Sequence, residues 1–193
     1  DVHPPFVRLL FAGVLKIFSY GNLEREINRD EAFGDFPYLP LRFLGVLAGS
    51  LLAGVIFLIA KKLYGDNLLA LIPVVLIIFD GALISYSRFI FPDIYILFFG
   101  FLGILFLISK RRTFLILAGV LIGLASSIKW SGLGFLAAGI IFLFLQKKIK
   151  EALLLSVITF AIYILVFSFL VPPSDLPHYT LAMFKGQLEV EGH

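Results

Sequence analysis

Long stretches without a single charged residue dominate this chain: residues 43–60, 94–109, 113–128, 130–146 and 152–171. A helix that crosses a bilayer needs about 20 mostly apolar residues, with a range of roughly 17–25. Only helices and closed barrels can cross, because the hydrocarbon core has no water to satisfy backbone polar groups. Two of the runs fall slightly short, and their polar flanks can snorkel outward to make up the difference. At 60% hydrophobic residues the chain exceeds the roughly 45–50% of soluble domains, and its mean hydropathy is +1.02. These features predict an all-α, polytopic transmembrane bundle. The absence of cysteine excludes disulfides and thiolate metal sites.

The punctuation between runs predicts six spans, at 41–60, 68–89, 94–109, a hairpin within 113–146, and 152–171. Pro73 is expected to kink the second. Residues 113–146 hold one charge, Lys129. As one helix they would measure about 51 Å, against a core of about 30 Å, so the chain is expected to reverse near Lys129-Trp130-Ser131-Gly132. Residues 6–20 carry Arg8 and Lys16 about two turns apart on one flank, which predicts an amphipathic helix lying in the interface. The whole, 1–193, reads as a single domain. Residues 1–41 form an outer loop with that interfacial helix, 42–171 the spans, and 172–193 the start of another outer loop. The chain is expected to be a piece of a longer protein.

Charge gives the orientation. The turns at 61–67, 110–112 and 147–151 hold eight of the 16 Lys and Arg residues but only two of the 13 acids. Short basic loops stay cytoplasmic, and six is the number of spans that puts all three on one side. Arg42, Arg88, Asp93 and Lys129 then fall at the opposite, outer face, beside Asp1-Val2-His3-Pro4-Pro5. Each has an ordinary reading: Arg42 as an interfacial anchor, Arg88 and Asp93 as a salt bridge across their turn, Lys129 as a snorkelling cation with Trp130 in an aromatic belt. Their concentration on one face favours a site for a membrane-borne anion, since arginine grips phosphate with two parallel bonds. Asp80, about 12 Å deeper than Arg88 if helical, must be paired, bonded or protonated. It is expected to support Arg88 or Lys129 from behind, or to pair helices. Asp30-Glu31 sits among other charges and reads as solvated surface.

In order along the chain, Asp1-Val2-His3-Pro4-Pro5, Arg42 opening a span, Phe79-Asp80-Gly81, Ser87-Arg88-Phe89-Ile90, Asp93, and Ser127-Ile128-Lys129-Trp130-Ser131-Gly132-Leu133 resemble the protein O-mannosyltransferases. That family belongs to the GT-C class of polyprenyl-phosphate-sugar glycosyltransferases. The resemblance implies a multi-span helical enzyme that takes mannose from a dolichyl- or polyprenyl-phosphate carrier on the outer or lumenal face. The mannose would pass to a Ser or Thr hydroxyl with inversion. It implies that Arg42 and Arg88 hold the lipid phosphate or orient the first outer loop, that Lys129 lies near that phosphate, and that Asp1 and His3 shape the sugar and acceptor site. Asp1 is the candidate catalytic carboxylate; His3, Arg8, Arg42, Arg88, Asp93 and Lys129 are the candidate binding residues. The family's usual Gly-Lys pair after His-Pro-Pro is Val7-Arg8 here, and its acidic pair is expected before Asp1.

The expected partners are a polyprenyl-phosphate-linked sugar, a protein or glycan acceptor and the bilayer, with no nucleic acid. No cofactor is required for direct displacement; a divalent metal is possible but unsupported by the sequence. The expected location is a plasma membrane with the site outward, or the endoplasmic reticulum in a eukaryote. Alternatives are a related transferase moving another sugar to a lipid or glycan, an anion transporter, and a non-catalytic relative. A transporter would favour charges near the midplane and paired interrupted helices.

Overall fold

The computed structural model describes residues 5–18, 38–109 and 111–169, with positions 175, 178, 181 and 182. Among them all regular secondary structure is helical, with no strand. The helices are α1 (Phe6–Ile17), α2 (Tyr38–Tyr64), α3 (Asn67–Ile78), α4 (Gly81–Arg88), α5 (Asp93–Leu107), α6 (Arg112–Ser126), α7 (Leu133–Leu145) and α8 (Ile149–Ser168), with a single 3-10 turn at Trp130–Gly132.

Local chemistry sets the boundaries. The α2 helix ends where Gly65 takes a left-handed φ of 72°, and its N–H donates to the Lys61 carbonyl at 2.9 Å. Glycine adopts that conformation without steric cost. Lys61 and Lys62 in the last turn face the negative end of the helix dipole. Asp66 then starts α3 by accepting from the N–H groups of Leu68 and Leu69, at 2.7 and 2.9 Å.

The expected kink at Pro73 is not where the second span turns. Pro73 lies inside α3, and the bend of 65° falls between α3 and α4. Asp80 is the cause: its carboxylate accepts from the Leu83 N–H at 2.8 Å and so begins a new helix.

By length and composition α2 and α8 can each cross a membrane, as can α3 and α4 taken as one bent span. The α5, α6 and α7 helices are apolar but shorter. The protein is an integral membrane protein, with two or three candidate spans among the described residues.

The packing has two centres joined by α5. On one side α2 packs against α3, α4 and α5; on the other, α6 packs against α5 and α8, and α7 against α8. The α6–α8 crossing is close because Gly119 and Gly123 present no side chain. A methyl at Gly123 would stand 2.7 Å from Ile162 Cβ and 2.9 Å from the Thr159 carbonyl. Across the same contact the Thr159 hydroxyl, fully buried, donates to the Gly119 carbonyl at 3.3 Å. Small residues four apart are how apolar helices approach closely in lipid.

The ends of the bundle are chemically different. Lys62 donates to the Ser109 hydroxyl, and Arg111, Arg112, Lys148 and Lys150 line one cavity, so the described parts of the three basic turns meet at one end. At the other, the Phe6 N–H donates to the Ser127 carbonyl at 3.0 Å. The α1 helix turns its apolar side to the bundle. Phe6 meets Phe99 edge to face at 5.7 Å and Phe11 meets Tyr95 at 5.8 Å, while Arg8 and Lys16 stay exposed.

Candidate functional site

Lys129 owes its position to the hairpin tip. It follows the end of α6 in extended backbone, and Gly132, three residues on, packs against the turn it leaves. A side-chain carbon at Gly132 would overlap the Ala125 carbonyl at 2.5 Å, so only glycine lets the chain reverse this tightly. The Gly132 N–H closes the turn on the Lys129 carbonyl at 2.9 Å. Trp130 ties the tip sideways, its indole N–H donating to the Tyr163 hydroxyl of α8 at 3.0 Å.

So held, the Lys129 ammonium donates to Asp93 Oδ1 at 3.5 Å. The two side chains are 36% and 33% exposed. Asp93 opens α5, where a carboxylate is favoured by the helix dipole. The expected alternative, a staple from Arg88 to Asp93 across their turn, does not form: the carboxylate faces Lys129, 36 residues away in sequence. A pair one-third exposed at this distance is weakly held, typically about 0–1 kcal/mol.

A second polar group lies at the same end, across α2. The Arg42 guanidinium rests over the Tyr38 ring, 4.8 Å from its centre, and its Nε is buried without a hydrogen-bond partner. One turn further along, Gly45 faces the Ser87 carbonyl and the Tyr95 hydroxyl, 3.0 and 3.6 Å from where its Cβ would stand. The Tyr95 hydroxyl also has no partner, on a side chain only 2% exposed. Buried polar groups are normally paired, so Arg42 Nε and the Tyr95 hydroxyl are exceptions among the described residues at this end. Tyr95 escaped the sequence reading because its neighbours are apolar, so it looked like span filler; its place two residues after Asp93 was the available signal.

The structure thus brings Lys129 and Asp93 into contact and carries Arg42 and Arg88 to the same end. Arg88 is exposed in the last turn of α4. Among the described residues no ion pair or hydrogen bond links the Lys129–Asp93 pair to Arg42 or Arg88. Arg8 is exposed on α1, whose first turn is tied to Ser127 close to Lys129. Asp80 does not stand behind Arg88 or Lys129: it is exposed and its carboxylate accepts the Leu83 N–H at the start of α4. Asp1 and His3 lie outside the described residues, as does Asp30-Glu31. No cluster of three or more His, Asp or Glu side chains that could hold a metal gathers among the described residues.

With the cations gathered at one end, comparison with known proteins decides the family. A family model described as dolichyl-phosphate-mannose-protein mannosyltransferase matches residues 1–176. The chain belongs to that family. It is 35% identical over 51% of its length to the fission yeast (Schizosaccharomyces pombe) dolichyl-phosphate-mannose–protein mannosyltransferase 4. It is 27% identical over 79% to protein O-mannosyltransferase 1 of Drosophila melanogaster, and 30% identical over 74% to dolichyl-phosphate-mannose–protein mannosyltransferase 5 of Saccharomyces cerevisiae. The chain spans 13%, 18% and 21% of those three relatives. Within this mannosyltransferase family, the matched region contains the Lys129–Asp93 pair, Arg42, Arg88 and Tyr95.

Proposed function

We propose that this chain forms the donor-phosphate end of a membrane mannosyltransferase. The enzyme moves mannose from a dolichyl- or polyprenyl-phosphate carrier to a protein Ser or Thr hydroxyl. The observation that carries the reading is the Lys129–Asp93 pair at 3.5 Å, placed at the end of the bundle away from the basic turns. Family membership and the relatives' names support the same reaction.

The chemistry is a direct displacement. The acceptor oxygen attacks the anomeric carbon, the bond from that carbon to the phosphate oxygen breaks, and the hydroxyl proton passes to a carboxylate. Asp1 is the candidate for that base, with His3 beside the sugar. The leaving lipid phosphate gains charge as the bond breaks, and Lys129, Arg42 and Arg88 are the groups to neutralise it. Preorganised charge of this kind is often the largest catalytic term. Asp93 keeps Lys129 positioned when no phosphate is present. An apolar groove of about 390 Å³ beside this end, walled by Leu52, Leu83 and Ile94 among others, suits an isoprenoid tail. The reaction requires no cofactor.

The reading includes six crossings, with the bent α3–α4 pair as one and α5, α6 and α7 spanning despite their length. It places the site on the outer face of a plasma membrane, or in the lumen of the endoplasmic reticulum in a eukaryote. Among the described residues the break at Asp80 is the single feature that suits a transporter; the cations at the membrane surface suit a transferase.

In the intact protein, Lys129→Ala and Arg88→Ala are each expected to lower kcat/KM for transfer from polyprenyl-phosphate mannose to a Ser/Thr peptide. A drop of about 100-fold corresponds to about 2.7 kcal/mol of lost transition-state stabilisation. Undiminished transfer by both variants overturns the assignment.

A further inference from the structure

The end of the bundle away from Lys129 holds a cavity of about 360 Å³, formed where α5 and α7 finish and α6 and α8 begin. Arg111, Arg112, Lys148 and Lys150 line it against one carboxylate, Glu151, and Leu115, Phe142 and Leu154 form an apolar wall. Nothing in mannose transfer uses it.

The sequence builds this cavity through a tight reversal. Lys147 takes a left-handed φ of 59°, uncommon for a residue with a side chain, and the Lys148 N–H bonds back to the Leu143 carbonyl at 2.9 Å. That turn folds α8 back beside α7 and brings Lys148 and Lys150 opposite Arg111 and Arg112. The Arg111 guanidinium leans on the Phe114 ring, 5.7 Å from its centre. The α6 helix begins on Arg111 and Arg112 with no acidic residue in its first turn, and cations there add to the positive end of the helix dipole rather than cancel it. Four basic side chains against one acid leave a net positive pocket beside an apolar wall. Basic pockets between membrane helices on the cytoplasmic side bind anionic lipid head groups.

We infer that this cavity binds the phosphate of an anionic membrane phospholipid, its head group held by the arginines and lysines and an acyl chain lying along Leu115, Phe142 and Leu154. Free phosphate offers the same anion but leaves that wall bare. The inference stands independently of the transferase reading.

The test uses the intact protein in nanodiscs of mixed phosphatidylglycerol and phosphatidylcholine, with retained lipid counted by native mass spectrometry. Wild type is expected to retain phosphatidylglycerol over phosphatidylcholine by about tenfold, equivalent to about 1.4 kcal/mol. The Arg112→Gln/Lys148→Gln double variant is expected to bring that ratio near one. Lys61→Gln, in a basic turn at the same end but off the cavity wall, is expected to keep it. A wild type without preference overturns the inference, as does a Lys61→Gln variant that loses as much as the double variant. Displacement of the lipid by an equal concentration of inorganic phosphate also overturns it, because the apolar wall then contributes nothing. Helical circular dichroism checks the fold. Should the double variant not fold, Lys148→Gln alone carries the test and is expected to lose part of the preference.

Discussion

Tyr95 keeps a hydroxyl out of water with nothing to bond, on a side chain 2% exposed. Removing an unsatisfied buried polar group is neutral or stabilising, so Tyr95→Phe separates structure from function. The thermal midpoint in detergent is expected to stay or rise. The KM for the lipid-linked donor is expected to increase about tenfold, or about 1.4 kcal/mol, if the hydroxyl meets the donor when it binds. A lowered midpoint with unchanged KM would show instead that the hydroxyl only supports the packing against Phe11 and Gly45. Lys129 was legible in the sequence as the lone charge in 34 apolar residues. Its partner was not, since Asp93 was matched to Arg88 across their turn and only the reversal at Gly132 brings Lys129 to it instead.

Asp80 shows how an element boundary reassigns a residue. Inside a continuous span it would be a costly buried carboxylate; at a break it is a helix cap, and the break exists because the cap does. Asp80→Ala is expected to cost about 1 kcal/mol, while Asp80→Asn, an equally good cap without the charge, is expected to be nearly silent in both melting and transfer. A loss of transfer in Asp80→Asn at unchanged melting would restore the electrostatic role. The α6–α8 crossing makes a second case. A methyl at Gly123 meets a backbone carbonyl and a Cβ that cannot swing aside, so Gly123→Ala is expected to destabilise by about 1–3 kcal/mol, read as a lowered midpoint. The pair Gly119 and Gly123 was present in the sequence, but spacing alone does not say which neighbour uses it.

At the scale of the whole molecule, the described parts of the three basic turns meet at one end through Lys62, Ser109 and the cavity-lining cations. Lys129 and Asp93 lie at the other. The absence of native cysteine makes this directly measurable. Ser131→Cys at the hairpin tip and Thr113→Cys at the start of α6 are both exposed positions, one crossing of α6 apart. A membrane-impermeant maleimide is expected to label them from opposite sides. Labelling of both from one side would remove α6 as a crossing and, with it, the outer-face placement of Lys129.

The sequence by itself determined the helical membrane class, the place of the hairpin tip and the separation of charge between the two ends. Apolar run length and loop charge are one-dimensional quantities that the bilayer reads directly. Tertiary structure alone decided which carboxylate faces Lys129, that the second span bends at Asp80 rather than Pro73, and that α1 turns its apolar side to the bundle rather than into lipid. Those outcomes depend on distances between residues far apart in the chain, and in an apolar sequence almost every helix face is equally fit to be buried.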